Sequence, residues 1–122
     1  IDNHEIFKRA EENLYYELPI SFTDAALGTS VEVPSIDGGK SKIKIPAGTQ
    51  HGKQFRLKGK GMPILRRHLF GDLYIRINAQ VPNSLSKKQR EILEEFGEIE
   101  KNKPDPIIKN FFEKAKKFWR SS

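Results

Sequence analysis

The chain has 122 residues, of which 31% are charged, and a formal net charge of +6. This length suggests one domain, long enough to bury roughly two-thirds of its unfolded surface. The chain has no cysteine, which excludes disulfides and cysteine-ligated zinc. No apolar run approaches the roughly 18 residues of a membrane span and no signal peptide is visible, so we expect a soluble protein without a membrane partner. Because the first residue is Ile1 rather than methionine, we expect a piece of a longer protein.

Acidic and basic side chains are segregated along the chain. Residues 1–37 carry eight acidic and two basic side chains, whereas residues 38–71 carry nine basic side chains and no acidic one. Such a basic stretch is typical of a polyanion or nucleic-acid site. The alternative is that these basic side chains form the solvated face of a hairpin that lies opposite the acidic first third of the chain. We favour the second interpretation, because only Phe55 and Phe70 lie there as aromatic residues able to stack on bases.

The first elements are strands separated by one short helix. Apolar and polar residues alternate from residue 14 to residue 20, the two-residue period of a half-buried strand. Ser21 and Asp24 can cap a short helix, which Gly28 ends. The two-residue period returns at residues 31–33, where we expect the next strand.

The central part of the chain predicts a strand–turn–strand unit. Lysine and isoleucine alternate over residues 42–45, and the alternation returns over residues 54–58. Gly48 and Gly52 lie between these strands with only three residues between them, which is too few for a phosphate-binding P-loop. Gly59 and Gly61 could begin a G-x-G-x-x-G dinucleotide fingerprint, but Ile64 stands where its third glycine is needed. We therefore interpret both glycines as turn residues.

A long strand and then helices complete the pattern. Residues 73–81 alternate without interruption, and after Pro82 the period becomes helical, with Ser86 as the expected N-cap. Short strands separated by turns favour a mainly β fold, a small two-sheet β sandwich with one short helix, followed by C-terminal helices. We expect the sandwich to occupy residues 1–83 and a helical segment residues 84–122.

The C-terminal segment is strongly amphipathic. Residues 98–103 are polar and predict a linker, after which Asp105 and Pro106 are typical of a helix start. One face of this helix carries apolar side chains that would bury a large area and are candidates for dimerisation: Ile107, Ile108, Phe111, Phe112, Ala115, Phe118 and Trp119. The alternative is that the helix folds back on its own sandwich, which a short linker would permit.

No catalytic or metal-binding constellation is visible. The three histidines are scattered and no G-x-S-x-G nucleophile motif is present, so we expect no enzyme, no metal and no cofactor. Three aspartates stand beside turn signals, where a carboxylate usually accepts hydrogen bonds from backbone amides. These residues are His4, His51 and His68, and Asp24, Asp37 and Asp72.

Several spaced motifs together resemble one family. Residues 45–63, IPAGTQHGKQFRLKGKGMP, resemble the signature of the second C-terminal β domain of the DnaJ family of co-chaperones. Further matching motifs follow in the family's order: HEIFKR at 4–9, PISF at 19–22, AALG at 25–28, GDL at 71–73, the helix at 82–96 and the Phe-Phe pair at 111–112. The resemblance covers about residues 4–96, and several motifs in order make it specific.

The resemblance implies a function without catalysis. Family members bind unfolded client polypeptides, form homodimers through a C-terminal segment, and pass clients to a DnaK-type chaperone in the cytoplasm, in the stress response among other settings. The family's His-Pro-Asp tripeptide and its cysteine repeats are absent here. We therefore do not expect this chain to stimulate the ATPase of a partner. The family's main client groove lies in the preceding domain.

Client binding would use the edge of a sheet. An extended peptide can add to an exposed strand, with apolar pockets for its side chains. Our candidates for such a groove are Ile43, Ile45, Phe55 and Leu57, with Leu69 and Phe70 as a further contact. The alternative, which we favour for the first four residues, is that they form the sandwich core. Leu69 and Phe70 could likewise fold back on the sandwich.

Two loops differ from the family pattern. The sequence Ala-Glu-Glu at residues 10–12 stands where family members commonly carry Asp-Gly. Residues 66–70, Arg-Arg-His-Leu-Phe, replace a loop that is usually rich in glycine. The sequence leaves the conformation of both loops open.

Overall fold

The computed structural model describes residues 7–36, 38–62 and 70–121. They belong to two compact units, Ile1–Pro82 and Asn83–Ser122. The first unit contains strands β1 (Lys8–Ala10), β2 (Asn13–Ser21), β3 (Thr29–Pro34), β4 (Lys40–Ile45), β5 (Gln54–Leu57) and β6 (Leu73–Gln80), and helix α1 (Phe22–Leu27). The second contains helices α2 (Lys87–Asn102) and α3 (Pro106–Ser121). The predicted mainly β fold with C-terminal helices is confirmed.

The larger sheet has the strand order β1-β2-β6-β5. The two longest strands, β2 and β6, lie at its centre and run parallel, with Leu14 opposite Leu73 and Ile20 opposite Ala79. The outer strands β1 and β5 pair antiparallel with them. Alternation along β6 places Leu73, Ile75 and Ile77 on the inner face, where none of the three is exposed to solvent.

The smaller sheet is formed by β3 and β4 alone among the described residues. Their antiparallel register runs from Thr29 opposite Ile45 to Pro34 opposite Lys40. The inner residues of both sheets form one hydrophobic core, in which Val33 and Ile45 are each 1% exposed. This shared core is what the predicted two-sheet sandwich requires.

The predicted strand–turn–strand unit is present, but β4 and β5 belong to different sheets and do not pair as a hairpin. Residues 46–53 between them bond to other elements instead of closing a tight hairpin. The Gly48 N–H donates to Ala26 O at 3.0 Å, and the Gly52 N–H donates to Ile77 O at 2.8 Å. The connection therefore carries the chain past α1 and β6 from one sheet to the other.

Helix α1 begins and ends at the predicted residues. The Asp24 N–H donates to Ser21 Oγ at 3.1 Å, which satisfies one of the free amides of the first turn. Gly28 ends the helix with φ of 87°, and a Cβ atom there would lie 2.9 Å from the Ala47 nitrogen. Glycine is thus required both by the backbone angle and by the close approach of residue 47.

Helix α2 starts as predicted but is longer than expected. Its capping box is complete, with Gln89 N–H donating to Ser86 Oγ at 3.1 Å and Ser86 N–H donating to Gln89 Oε1 at 2.8 Å. The predicted linker at residues 98–103 is wrong, because the helix continues to Asn102. A Glu98–Lys101 ion pair at 3.0 Å supports this last turn. Pro104 disfavours helical geometry at the residue before it, so the helix ends there.

Helix α3 begins where the sequence predicts. The Ile107 N–H donates to Asp105 Oδ1 at 2.8 Å, the bond of an acidic N-cap, and Pro106 is the first helical residue. Among residues 7–36, 38–62 and 70–121, no helix is long and apolar enough to cross a membrane. The interpretations of residues 4–6, Asp37 and residues 63–69, including His68 and Leu69, lie outside the described residues.

Candidate functional site

The solvent-facing side of the four-stranded sheet carries an aromatic pair. Tyr15 and Tyr74 are opposite each other in register, and their rings stack with centroids 5.0 Å apart and planes 12° apart. Lys8 lies opposite Tyr15 on one side and Arg56 lies opposite Tyr74 on the other. Two tyrosines are thus flanked by two cations in one row across the sheet.

The next row of side chains across the sheet, formed by Glu17, Arg76 and Gln54, lines a cavity of about 520 Å³. Arg76 lies 3.5 Å from Glu17 and opposite Gln54 in register. The cavity is lined by Lys8, Tyr15, Tyr16, Glu17, Gln54, Tyr74 and Arg76. Tyrosine and arginine are enriched among the residues that dominate binding energy at protein interfaces, and this lining contains no histidine, serine or cysteine nucleophile.

Tyr16 differs from the other two tyrosines in its surroundings. It packs against Phe7 edge to face, with centroids 5.2 Å apart, and is 6% exposed. Burial raises the pKa of Tyr16 to about 12. No local pattern in the sequence indicates that Tyr15 and Tyr74 are neighbours, because their pairing depends on the parallel register of β2 and β6.

A polar cluster fixes the turn that follows β5. Asp72 accepts a hydrogen bond from Arg56 Nε at 2.6 Å and another from the Gly59 N–H at 3.0 Å. These contacts, the Gly59 bond first, hold the pKa of the Asp72 carboxyl below its ordinary value. The expectation that Asp72 accepts bonds from backbone amides near a turn is confirmed.

The candidate client residues fall into two groups. Ile43 and Ile45 are 5% and 1% exposed, so they belong to the core, as our alternative interpretation held. Phe55 and Leu57 are half-buried on β5 and pack against that core. Phe70 is 54% exposed. The structure therefore does not unite all of these residues in one groove, and their contact with clients stays a prediction.

Two of the candidate client residues, Phe55 and Leu57, lie on the accessible strand β5. It lies at the end of the sheet order and, within residues 38–62 and 70–121, pairs only with β6. An edge strand presents unpaired backbone donors and acceptors to a further strand. Phe55 and Leu57 place partly exposed apolar surface beside that edge.

The C-terminal helices expose large apolar faces. Along residues 87–102 and 106–121 no side chain is buried. On α3 the large apolar side chains are between 53% exposed, at Phe112, and 76% exposed, at Ile107, and Ala115 is half-buried. On α2, Ile92, Phe96 and Ile99 are also exposed.

An edge strand beside apolar side chains, followed by two amphipathic helices, is typical of an interaction module rather than of a catalyst. Residues 1–82 match the family model "DnaJ C terminal domain", and residues 88–121 match "Chaperone protein DnaJ C-terminal region". The chain belongs to the DnaJ C-terminal domain family, as its motifs predicted. It is a domain of a chaperone family, not an enzyme.

Relatives with the name "Chaperone protein DnaJ" are similar over almost the whole chain. The protein of Pelagibacter ubique is 60% identical over 121 residues, which are 99% of this chain and 32% of that protein. The proteins of Brucella canis and Brucella suis are each 51% identical over 116 residues, 95% of this chain and 31% of theirs. The chain thus spans about a third of the length of these curated relatives.

Proposed function

We propose that this chain binds non-native polypeptide and forms a homodimer, within a longer cytoplasmic co-chaperone of the stress response that passes clients to a DnaK-type chaperone. The observation that carries the proposal is the apolar surface that the described residues leave exposed beside the edge strand β5 and along two helices. Membership of a chaperone family supports it. In this proposal, residues 1–83 handle the client and residues 84–122 hold two copies together.

The client would add to the sheet as a fifth strand next to β5. Main-chain hydrogen bonds along Gln54–Leu57 would supply affinity for any sequence, as a chaperone requires. Apolar client side chains would contact Phe55 and Leu57, and Phe70 would extend the contact. Ile43 and Ile45 would support this surface from the core rather than touch the client.

Dimerisation would bury the apolar face of α3. At roughly 1.5–3 kcal/mol for each fully buried large side chain, six of them are worth about 9–18 kcal/mol. Association costs an estimated 4–15 kcal/mol, so the dimer is favourable if most of this face is buried between copies. A helix of this length is also only marginally stable alone in water, which favours docking.

A client titration tests the first half of the proposal. We expect a labelled, permanently unfolded protein to bind with little change between about 50 and 200 mM salt, whereas binding to phosphates would weaken by orders of magnitude. Labelled single-stranded DNA tests the alternative of a polyanion-binding module. Tight DNA binding with a steep salt dependence, and no binding of the unfolded protein, would overturn client binding.

Two matched variants locate the client surface. Phe70→Ser removes an apolar side chain that is 54% exposed, and Leu27→Ser removes one on α1 that is 80% exposed. Neither side chain is buried, so both variants should fold. We expect several-fold weaker client binding for Phe70→Ser and no change for Leu27→Ser. Equal binding by both variants would exclude Phe70 from the surface.

Sedimentation tests the second half. We expect the full chain to be a dimer at tens of micromolar, and a chain ending at Lys103, which lacks α3, to be a monomer. If both sediment as monomers, the dimer proposal is wrong, and α3 folding back on its own sandwich becomes the better interpretation.

A further inference from the structure

The four apolar positions of α2 recur at the same places in α3. Both helices have 16 residues. Counted from Lys87 and from Pro106, both helices carry apolar side chains at the sixth, seventh, tenth and thirteenth positions, and α3 carries further ones at the second, third and fourteenth. On α2 these are Ile92, Leu93, Phe96 and Ile99, and on α3 they are Phe111, Phe112, Ala115 and Phe118. Laid parallel and in register, the helices would therefore bring four apolar levels together at a rise of about 1.5 Å per residue.

The level at the tenth position is complementary in size as well. Phe96 would meet Ala115, a large side chain against a small one, which is how helix faces fit closely. Phe96 is 48% exposed and Ala115 is half-buried, so each has room for a partner.

A single chain cannot make this arrangement. Only residues 103–105 separate the helices, and so short a connection brings neighbouring helices together antiparallel. In an end-to-end antiparallel alignment, only two of the four levels stay apolar, Leu93 with Ala115 and Phe96 with Phe112. Ile92 would meet Lys116 and Ile99 would meet Lys109. The exposed apolar side chains along residues 87–102 and 106–121 agree with the absence of such packing within the described chain.

Charge also favours α2 as the partner of α3. Helix α3 carries five basic side chains and one acidic one, whereas α2 carries five acidic side chains and four basic ones. Pairing α3 with its own copy would set two helices of net charge +4 side by side. Pairing it with α2 sets +4 against −1, and like charges a few ångströms apart repel even in water.

We propose that dimerisation occurs by helix exchange, in which α2 of each copy packs parallel and in register against α3 of the other. This inference rests on the dimer of the proposed function and specifies its interface. Each copy contributes one α2 and one α3 to the interface, so the contact is made twice around a twofold axis and the assembly closes at two copies.

Cysteine cross-linking tests the pairing directly, because the full chain contains no cysteine of its own. Gly97→Cys lies beside Phe96, and a Cβ atom there meets nothing within 4 Å. Ala115→Cys is a small change on α3. We expect an equal mixture of the two variants, treated with a short bismaleimide, to give cross-linked dimer, and each variant alone to give several-fold less. Cross-linking of Ala115→Cys alone as efficiently as the mixture would show that α3 pairs with α3, and would overturn the inference.

A second pair of mixtures tests the orientation. Lys88→Cys near the start of α2 should cross-link with Lys109→Cys near the start of α3, and not with Ser121→Cys at its end. The reverse result would mean antiparallel packing and would overturn the register proposed above. Sedimentation of every variant separates the two proposals. A dimer without α2–α3 cross-links refutes helix exchange alone, whereas a monomeric wild-type chain refutes the dimer itself.

Discussion

Gly61→Ala should weaken the fold where the start of β6 meets the turn between β1 and β2. A Cβ atom at this position would lie 2.6 Å from Asp72 O, 2.6 Å from Glu12 O and 2.6 Å from the Gly71 carbonyl carbon. Non-bonded carbon–oxygen contacts are ordinarily no shorter than about 3.3 Å, so the overlap is about 0.7 Å with each oxygen. All three atoms belong to the backbone, and no side-chain rotation can relieve the contact.

The free-energy cost can be worked from the bonds at risk. The Gly61 N–H donates to Gly71 O at 2.8 Å, and the Met62 N–H donates to Glu12 O at 2.7 Å. Overpacking costs about 1–3 kcal/mol, and each weakened hydrogen bond adds up to about 1 kcal/mol. We expect a loss of about 2–4 kcal/mol in the free energy of unfolding. For a urea dependence of about 2 kcal/mol per molar, the midpoint should fall by about 1–2 M.

Urea unfolding followed by circular dichroism measures this loss, and amide hydrogen exchange shows where it occurs. Gly59→Ala is the matched control, because it lies two residues away in open space and carries only the cost of its φ of 76°. That cost is about 1–2 kcal/mol. We expect faster exchange at Gly61 and Met62 in Gly61→Ala but not in Gly59→Ala. An unchanged urea midpoint for Gly61→Ala would refute this account of the junction.

Three further predictions concern other features of the chain. Glu11 has φ of 58°, a conformation that costs a residue with a Cβ atom about 1–2 kcal/mol. Glu11→Gly should therefore raise the free energy of unfolding by about 0.5–1 kcal/mol, because glycine adopts this conformation without strain. A lower melting temperature would contradict this. Because the folded state lowers the pKa of Asp72, its ionised form stabilises the fold above the ordinary carboxyl pKa, and this contribution is lost as the pH falls through the lowered value. Acid titration below about pH 4 should therefore cost wild type more stability than Asp72→Asn, and parallel titration curves would contradict this. We expect EDTA to leave the melting temperature unchanged, because no cluster of three metal-ligating side chains occurs among residues 7–36, 38–62 and 70–121; a drop would reveal a metal site.

Local patterns in the sequence predicted local structure well. The caps of all three helices depend on a few neighbouring residues, so Ser21, Ser86 and Asp105 could be identified from their positions alone. Alternation likewise revealed β2 and β6, because a strand with one buried face repeats every two residues. The end of α2 was missed because polar residues can either continue a helix or form a linker, and local composition does not distinguish the two.

Long-range pairing was not predictable from those patterns. Alternation shows which residues face inward but not which strands are neighbours, so β4 and β5 were placed together although they lie in different sheets. For the same reason the Tyr15–Tyr74 stack was missed, since it depends on a register between strands far apart in sequence. Alternation also did not show that Ile43 and Ile45 lie in the core while Phe55 and Leu57 stay partly exposed, because that depends on which strands are neighbours.

The parallel pairing of β2 with β6 sets the order in which the domain can fold during synthesis. Asn13 and Asp72, which bond to each other across this pair, are 59 residues apart in sequence. Contacts between residues so distant close a long loop before they give any stability, which slows folding. The pairing of β2 with β6 can therefore form only after residues 73–80 have been synthesised. A nascent chain of this family is thus for a time a non-native polypeptide of the kind that chaperones bind. It can leave that state once β6, the last strand of the sheet, has been made.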